Sequence, residues 1–379
     1  MTNEFILENA RVVLPESVID GYVVVRDGQI AEIGEGRVGS GENLEGDTLI
    51  PGLVELHTDH IENHFLPRPT VRWNKMAAVQ AHDAQIAASG ITTVFDALRV
   101  GTDGDSTAWA EEMRAMAETI GEAVDEGRLR ADHYIHLRCE VSADDVVEDF
   151  DRIAGNERIR LVSLMDHAPG QRQFRDIETY RLYYQAKMKL SDPEFETFCR
   201  ERVAQSERNS PANRTELASR CRERGITLAS HDDATQEHVA ESIALGIHLA
   251  EFPTTLEAAA AARQAGMMTL MGAPNVVRGG SHSGNIAALD LHRRDLLSIL
   301  SSDYVPFSLL QAVFLMAEEG EAELPDALRL VTGNPADAVG LTDRGRIALG
   351  LRADLVRIRA ENDKVPVVRG VWREGRRVA

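Results

Sequence analysis

The 379-residue chain is strongly acidic: 61 aspartates and glutamates against 41 lysines and arginines give a formal net charge of -20. This charge opposes binding to a polyanion, and no basic stripe interrupts it, so nucleic acid is not an expected partner. No apolar run approaches the roughly 20 residues that cross a bilayer, so a membrane is not expected either. With 43% hydrophobic residues, the chain suits one large buried core beside a smaller unit.

The cysteines and the first residues point to the cellular compartment. Cys139, Cys199 and Cys221 are widely spaced and form no CxxC pair. This argues against a disulfide framework and against zinc held by thiolates. The start, Met1-Thr2-Asn3-Glu4, lacks the basic beginning of a secretory signal. We therefore expect a cytoplasmic protein, and a homo-oligomer is left open.

The two ends of the chain share a β-rich pattern. Residues 1–50 read as short alternating strands with turns, including a hairpin signal at Asp27-Gly28. Residues 341–379 are also turn-punctuated and show no helical period. Because neither segment has enough strands to be stable alone, we expect the two to pack together as a small accessory β-sandwich.

Residues 51–340 repeat one unit, in which an apolar strand-like run ends in a polar residue and a helix-patterned stretch follows. The eight runs end at His57-Thr58-Asp59-His60, Asp96, Glu140, Asp166-His167, His231-Asp232-Asp233, Glu251, Asn275 and Asp303. Strand followed by helix, eight times, predicts an α/β fold of the (β/α)8 TIM-like barrel class. In such barrels the catalytic site lies at the carboxyl ends of the strands.

One connection breaks this rhythm. Residues 168–225 are far longer than a usual connection between a barrel strand and the next. The segment carries Tyr180, Tyr183, Tyr184, Lys187 and Lys189. It is equally compatible with a lid over the barrel mouth and with an ordinary helical insertion.

Histidines and carboxylates at the strand ends predict a divalent-metal site. His57 and Asp59 are two residues apart in an extended strand and so share a face, while His167 and His231 end two other strands. Some barrels of this kind bridge two ions with a carboxylated lysine, but none of the four lysines here follows a recognisable strand. Glu140 is therefore the candidate bridge to a second ion. The alternative for Glu140 is an ion pair with an arginine.

The predicted ligands accept zinc, manganese, iron or cobalt, as one or two ions, and such an ion lowers the pKa of its water toward about 7. Asp303, at the end of the eighth strand, is expected both to contact the metal and to act as general base. A helix N-cap is the alternative for Asp303. Asp232 and Asp233 are expected to orient His231 from behind, since metal-bound imidazoles usually donate their other nitrogen to an acceptor.

A glycine-rich segment after the seventh strand predicts an anion cradle. Glycines allow close backbone approach, exposed amides point at the start of the next helix, and two side chains add charge. Barrel enzymes often bind phosphate in this region, although a glycine-rich turn without a ligand is the alternative. The predicted phosphate ligands are Asn275, Arg278, Gly279, Gly280, Ser281 and His282, with Arg172 reaching a further phosphate.

Several of these motifs resemble a known family. Residues 51–59 resemble the first-strand signature of the amidohydrolase superfamily, and residues 341–355 resemble its return into the accessory β domain. Four longer blocks closely resemble the PhnM-type members, which belong to the phosphonate pathway. These blocks are residues 164–174, 229–235, 250–255 and 271–285.

The resemblance implies hydrolysis of a phosphorylated small molecule, α-D-ribose 1-methylphosphonate 5-triphosphate, to the 5-phosphate and pyrophosphate in the carbon–phosphorus lyase pathway. His57-x-Asp59 replaces the His-x-His of the wider superfamily, which leaves open whether one ion or two is bound. Two alternatives stand beside this reading. One is hydrolysis of a C–N bond in a cyclic amide or amidine, and the other is a non-catalytic subunit of a phosphonate-processing assembly.

Overall fold

The structure is a computed structural model that contains two sheets of eight strands each, one made by the chain ends and one by the middle of the chain. The described residues are 4–102, 107–172, 178, 180–181, 185, 190–281, 284–361 and 364–379.

The accessory sheet joins the two ends of the chain. Its strands are β1 Glu4–Val13, β2 Val18–Arg26, β3 Gln29–Glu35, β4 Glu42–Asn43, β5 Thr48–Pro51, β14 Leu355–Arg359, β15 Val367–Arg373 and β16 Arg376–Arg377. Asp27 and Gly28 both have positive φ, as a two-residue turn between β2 and β3 requires. The C-terminal β14 pairs antiparallel with the N-terminal β5, which confirms that the terminal segments pack together. The domain boundaries at 50/51 and 340/341 stay predictions.

The second sheet is the barrel. Its strands are β6 Leu53–Thr58, β7 Ile91–Val100, β8 Asp132–Glu140, β9 Ile159–Met165, β10 Thr227–His231, β11 Leu249–Glu251, β12 Met268–Gly272 and β13 Ile299–Ser301. Neighbours pair in parallel in chain order from β6 to β13. A bridge between Thr58 and Asp303 then brings the last strand back to the first. The predicted (β/α)8 architecture is confirmed.

Helices surround the barrel strands. They are α1 Ile61–Phe65, α2 Lys75–Ala88, α3 Thr107–Asp125, α4 Val146–Ile153, α5 Asp192–Arg224, α6 Gln236–Ala244, α7 Leu256–Gln264, α8 Ala273–Val277, α9 Ala288–His292, α10 Ser308–Glu318, α11 Leu324–Arg329 and α12 Gly333–Ala338. Within the described ranges, no helix combines the length and the apolar character that crossing a bilayer requires.

Helix α5 fills much of the long insertion. It begins at a capping box formed by Ser191 and Glu194 and ends at Gly225, whose left-handed φ of 66° favours glycine. The hydroxyls of Ser206 and Ser210 on α5 donate to Asp166 at the end of β9, so the helix supports the barrel mouth. Four of the side chains on which a lid was predicted lie outside the described residues, and the lid stays a prediction. They are Tyr183, Tyr184, Lys187 and Lys189.

Three arginines from the C-terminal segment converge on Asp132 at the start of β8. Arg344 Nη1 and Arg352 Nη1 each lie 2.7 Å from Asp132 Oδ2, and Arg373 Nη1 lies 3.2 Å from Oδ1. Burial alone would raise the pKa of Asp132, but the three guanidinium groups more than offset it, so the pKa lies below its usual value. This cluster fastens the barrel to the C-terminal segment.

We expect Asp132→Asn to lower the free energy of unfolding at neutral pH by about 2–3 kcal/mol, because three partly buried guanidinium groups lose their counter-charge. The pKa of Asp132 is lower in the folded protein than in the unfolded chain, where it is about 3.9. The ionised carboxylate therefore stabilises the fold above that pH, and the stability is lost as the pH falls through the pKa of the folded state. The difference in unfolding free energy between the variant and the parent protein should therefore shrink below about pH 4. Urea unfolding at pH 7 and in acid measures both effects.

Asp125→Asn is the matched control for this experiment. The Asp125 side chain is 79% exposed and lies 3.9 Å from its partner Arg158, so its removal should change the unfolding free energy by less than about 0.5 kcal/mol. Equal stability of Asp132→Asn and the parent protein at pH 7 would show that the arginine cluster does not hold the two parts together.

Candidate active site

Glu251, the last residue of β11, lies among three imidazoles in the barrel mouth. Its carboxylate oxygens lie 3.3 Å from Nδ1 of His57 and 3.3 Å from Nδ1 of His231. Nε2 of His136 lies 3.8 Å away. Burial lowers the pKa of His136 and of His231 to about 3, and that of His57 well below its usual value. These histidines are therefore neutral, the form that binds metal ions.

A second group of donors lies on the other side of the His231 ring. Asp232 Oδ2 is 3.4 Å from Nε2 of His231 and 3.9 Å from Nε2 of His167. Two ligand atoms that each lie about 2.1 Å from a tetrahedral ion are about 3.4 Å apart, so these three atoms fit one ion. Asp232 Oδ2 is buried and has no hydrogen-bond partner among the described residues. Burial raises the pKa of Asp232 to about 7, which a bound cation would reverse.

The second nitrogen of each of these two histidines is held by a carboxylate. His167 Nδ1 lies 2.8 Å from Glu140 Oε2, and His231 Nδ1 lies 3.3 Å from Glu251. The other oxygen of Glu140 accepts from Ser142 Oγ at 2.6 Å. Carboxylates in this position fix the ring and raise the basicity of the coordinating nitrogen. Glu140, predicted as a bridge between ions, therefore lies beside Nδ1 of His167, where it orients that imidazole.

Asp303 follows β13 in a left-handed backbone conformation. Its φ is 54°, in the left-handed region that aspartate adopts more readily than most residues other than glycine, and its N–H donates to His57 O at 3.1 Å. Burial, and then the charge of Asp59, raise its pKa to about 7. Helix α10 begins at Ser308 with Phe307 as its N-cap, so Asp303 is not the cap that the alternative reading requires. The Asp303 carboxyl group does not cap a helix and lies at the barrel mouth.

Arg138 supplies positive charge to the same mouth. Its Nη1 lies 3.2 Å from Asp59 Oδ2, and its side chain is 13% exposed. Asp59 was predicted as a metal ligand, and the structure places it against this guanidinium. His136 and Arg138 precede Glu140 by four and two residues in β8 and share its face. That alternation was the sequence signal that would have found both residues, and neither was assigned to the site.

Glu55 is a buried carboxyl that the sequence did not indicate. The pairing of β6 with β7 shifts register between Glu55 and Thr58, which leaves backbone amides without a strand partner. Glu55 accepts from the N–H of His57 at 2.6 Å and from that of Ser302 at 2.5 Å. Burial raises its pKa to about 8 despite these bonds. Glu55 thus positions the ends of β6 and β13.

Two of the predicted roles near β10 need correction. Asp232 lies beside Nε2 of His231 and of His167, in a group that could hold an ion, whereas it was expected to orient His231 from behind. Asp233 forms a buried ion pair with Arg172, whose Nη2 also bonds Glu241 Oε2 at 2.7 Å. The Arg172 guanidinium, 2% exposed, is committed to these carboxylates and does not face a substrate phosphate.

The glycine-rich segment lies beside the end of β11. Ile286 N–H donates to Thr254 O at 3.1 Å, three residues beyond Glu251. Asn275 fixes the segment from within, because its side-chain oxygen accepts from Ala288 N–H at 2.9 Å. This contact makes Asn275 a scaffold for the loop, where it was predicted as a phosphate ligand.

The remaining residues of the predicted anion cradle have the exposure and the backbone conformations on which that prediction was based. Arg278 is exposed, and Gly279 and Gly280 have φ values of 74° and 156°. Ser281 is half-buried, and His282 lies outside the described residues. Phosphate binding by this segment stays a prediction.

A barrel with imidazole and carboxylate donors at its mouth, beside a sheet made from both chain ends, is the architecture of a metal-dependent hydrolase. Residues 79–379 match the family described as amidohydrolase family, and this chain belongs to that family. The chain is 48% identical over 377 residues to the α-D-ribose 1-methylphosphonate 5-triphosphate diphosphatase of Escherichia coli (strain K12). The match covers 98% of this chain and 100% of that protein.

Solved structures share the fold at much lower identity. The dihydropyrimidinase of Brevibacillus agri superimposes with a TM-score of 0.64 at 14% identity, covering 99% of this chain and 95% of that one. The N-acetylglucosamine-6-phosphate deacetylase of Pasteurella multocida gives a TM-score of 0.62 at 13% identity, covering 98% and 99%. At this level of identity, the structural similarity establishes the architecture and does not indicate the substrate.

Proposed function

We propose that this protein hydrolyses α-D-ribose 1-methylphosphonate 5-triphosphate to the 5-phosphate and pyrophosphate, with one or two divalent ions bound at the barrel mouth. The observation that carries the proposal is the full-length match, at 48% identity, to the Escherichia coli diphosphatase for this triphosphate. The donor atoms around Asp232 and Glu251 support a metal-dependent reaction of that kind. The identity of the metal and a cytoplasmic location stay predictions.

The geometry supports one assignment of the metal ligands. Nε2 of His167, Nε2 of His231 and Oδ2 of Asp232 would hold one ion, and the group of His57, His136 and Glu251 offers donors for a second. A divalent ion here neutralises phosphate charge and lowers the pKa of a water molecule. Glu140 and Glu251 keep the two ligand imidazoles in place through their Nδ1 atoms.

Asp303 is the proposed general base. Burial raises its pKa to about 7, and a bound cation would lower it, as at Asp232, which would leave an ionised carboxylate able to accept a proton near neutral pH. It takes one proton from the attacking water, whose oxygen forms the new bond to the α- or the β-phosphorus while the bond from that phosphorus to the oxygen bridging the two breaks; the bridging oxygen leaves on the other product. Arg138 is placed to stabilise the charge that develops on the phosphate oxygens, since it is a partly buried guanidinium in the same mouth.

Phosphorus NMR of the purified protein with the ribose triphosphate and manganese or zinc tests this proposal. We expect stoichiometric conversion of the triphosphate signals into those of a 5-phosphate and pyrophosphate, without release of orthophosphate. In ¹⁸O-labelled water, label in the 5-phosphate marks attack at the α-phosphorus, and label in pyrophosphate marks attack at the β-phosphorus. A His231→Asn variant, which removes a proposed ligand, should lose the activity and so excludes a contaminating phosphatase.

The two alternatives give different results in the same experiment. Turnover of cyclic amides in place of the triphosphate would establish C–N bond hydrolysis. Absence of bound metal, and of any turnover when manganese or zinc is added, would favour a non-catalytic subunit. Either outcome contradicts the proposed reaction.

A further inference from the structure

Helix α5 buries a row of four polar side chains that lie four residues apart and so share one face of the helix. They are Arg202, Ser206, Ser210 and Arg214, each no more than 6% exposed. Further along the same helix the buried face is apolar, at Leu217 and Ala218, as is usual for a helix that covers a core. Buried polar groups lower stability unless they are paired, so the partners of this row indicate its role.

The middle of the row holds the residue next to a proposed metal ligand. The hydroxyls of Ser206 and Ser210 both donate to Asp166 Oδ2, at 2.8 and 2.7 Å. Asp166 directly precedes His167, which is one of the donors proposed for a metal ion. Helix α5 therefore helps to fix the end of β9, from which the His167 imidazole extends.

Arg202, at the start of the row, is linked to the imidazole of His167 by a chain of hydrogen bonds. Arg202 Nη2 donates to Ser142 Oγ at 3.2 Å, and Ser142 Oγ donates to Glu140 Oε1 at 2.6 Å. The other oxygen of this carboxylate, Oε2, lies 2.8 Å from Nδ1 of His167. All four side chains are buried, so bulk water does not compete for these hydrogen bonds.

The chemistry of the groups sets the direction of these hydrogen bonds. A guanidinium group only donates, so Ser142 Oγ accepts from Arg202 and its one hydroxyl hydrogen is left for Glu140. The Glu140 carboxylate then accepts from Ser142 on one oxygen and from Nδ1–H of His167 on the other. A proton on Nδ1 leaves the imidazole lone pair on Nε2, which lies 3.9 Å from Asp232 Oδ2. This is the tautomer that binds a metal ion through Nε2.

The loop after β8, which carries Ser142, is bound to the same helix. Asn209 Nδ2 donates to Ser142 O at 2.9 Å. Asn213 Nδ2 donates, at 2.9 Å each, to the carbonyls of the residues on either side of Ser142. Three consecutive carbonyl groups of the loop thus accept from side chains of α5. These bonds hold the Ser142 side chain in place between its two partners.

We propose that Arg202 is a positioning residue for the metal-dependent reaction. Through Ser142 and Glu140, it keeps the imidazole of His167 in the orientation and the tautomer in which Nε2 binds the ion. This role rests on the proposed function, because it affects turnover only if His167 is a metal ligand. Arg202 lies in the middle of a long helix and not at a strand end, so the strand pattern of the sequence does not indicate it.

The zinc affinity of the purified full-length protein tests this role. Zinc bound per chain is measured over a series of free zinc concentrations set by a chelator. Asp232→Asn, which removes the charge of a donor to this ion, identifies the binding step that belongs to it. Arg202→Met keeps an unbranched side chain but removes the donors. We expect Arg202→Met to bind this ion about 10-fold more weakly, at the lower end of the effect of losing an outer partner of a ligand.

Arg208→Met is the matched control. Arg208 lies on the same helix and bonds Asp144 of the same loop at 3.0 Å, but this pair is exposed and stands outside the chain of hydrogen bonds to His167. Its replacement should leave the zinc affinity unchanged. Ser142→Ala should weaken zinc binding, and a double variant that also carries Arg202→Met should bind about as weakly as Ser142→Ala alone, because the two residues act through one chain.

A spectroscopic signature separates positioning from a purely structural role. Cobalt accepts the same kinds of ligand as zinc, and its visible absorption reports the arrangement of those ligands. We expect Arg202→Met to change the spectrum of bound cobalt, and Arg208→Met to leave it as in the parent protein. Thermal melting of the metal-free proteins shows whether each variant is folded, and Ser142→Ala serves in place of Arg202→Met if the latter fails to fold.

The outcomes distinguish this role from the proposed reaction. If folded Arg202→Met and Ser142→Ala bind zinc as tightly as the parent protein, Arg202 has no positioning role, while the proposed reaction stands. A lower melting temperature with unchanged zinc affinity likewise overturns the proposal and leaves Arg202 a purely structural residue. If the parent protein itself binds no zinc, the metal-dependent reaction and the role of Arg202 are both refuted.

Discussion

Asp303→Asn should lower the rate of pyrophosphate release by about 10³-fold, because it removes the proposed general base and a charge at the barrel mouth. Asparagine has nearly the same shape and tolerates the left-handed φ of this position, so the backbone contact from Asp303 N–H to His57 O should survive. Initial rates at saturating metal and substrate measure the effect. The metal content of the variant should be determined in the same samples.

The matched control is Asp295→Asn. Asp295 also has a positive φ, 57°, but it is exposed and lies outside the mouth, so its replacement should leave the rate unchanged. A loss of no more than a few-fold in Asp303→Asn would refute the role of general base. A large loss together with loss of metal would instead identify Asp303 as a ligand, the other part of its predicted role.

The barrel was predictable because its signal is repeated. Each apolar run of the core ends in a polar residue, and in a parallel barrel all these ends meet at one mouth. His167, His231 and Asp303 therefore meet there, although more than 130 residues separate the first from the last. What the strand pattern fixes is the location of a residue along the barrel axis. It does not fix the direction of each side chain.

Side-chain direction depends on contacts that no single segment encodes. Arg172 follows a strand end, yet Asp233 and Glu241 from other elements hold it inside the protein. Glu55 gains its role only from a register shift in β6. Glu251 was recognised as a strand end, but its central position became visible only when three histidines from other strands surrounded it.

Glu251→Gln is expected to weaken metal binding by about 10–100-fold, and turnover at limiting metal should fall in proportion. The Glu251 carboxylate faces Nδ1 of both His57 and His231, and each imidazole needs an acceptor oxygen. The glutamine amide has only one acceptor oxygen, so it cannot serve both rings. Without a negative partner at Nδ1, Nε2 of His231 becomes a poorer ligand. Competition with a chelator at fixed zinc concentration measures the change in affinity.

Glu257→Gln, six residues further along, is the control, because Glu257 is exposed on helix α7 and should leave zinc affinity unaltered. The two variants together separate the ways in which Glu251 can act. If excess metal restores most of the rate of Glu251→Gln, the carboxylate acts on metal binding, through the ligand histidines or as a donor to the second ion. If the variant binds zinc as tightly as the parent protein but stays inactive, Glu251 contacts the reacting groups directly. Glu251, at the end of β11, would then not contribute to metal binding.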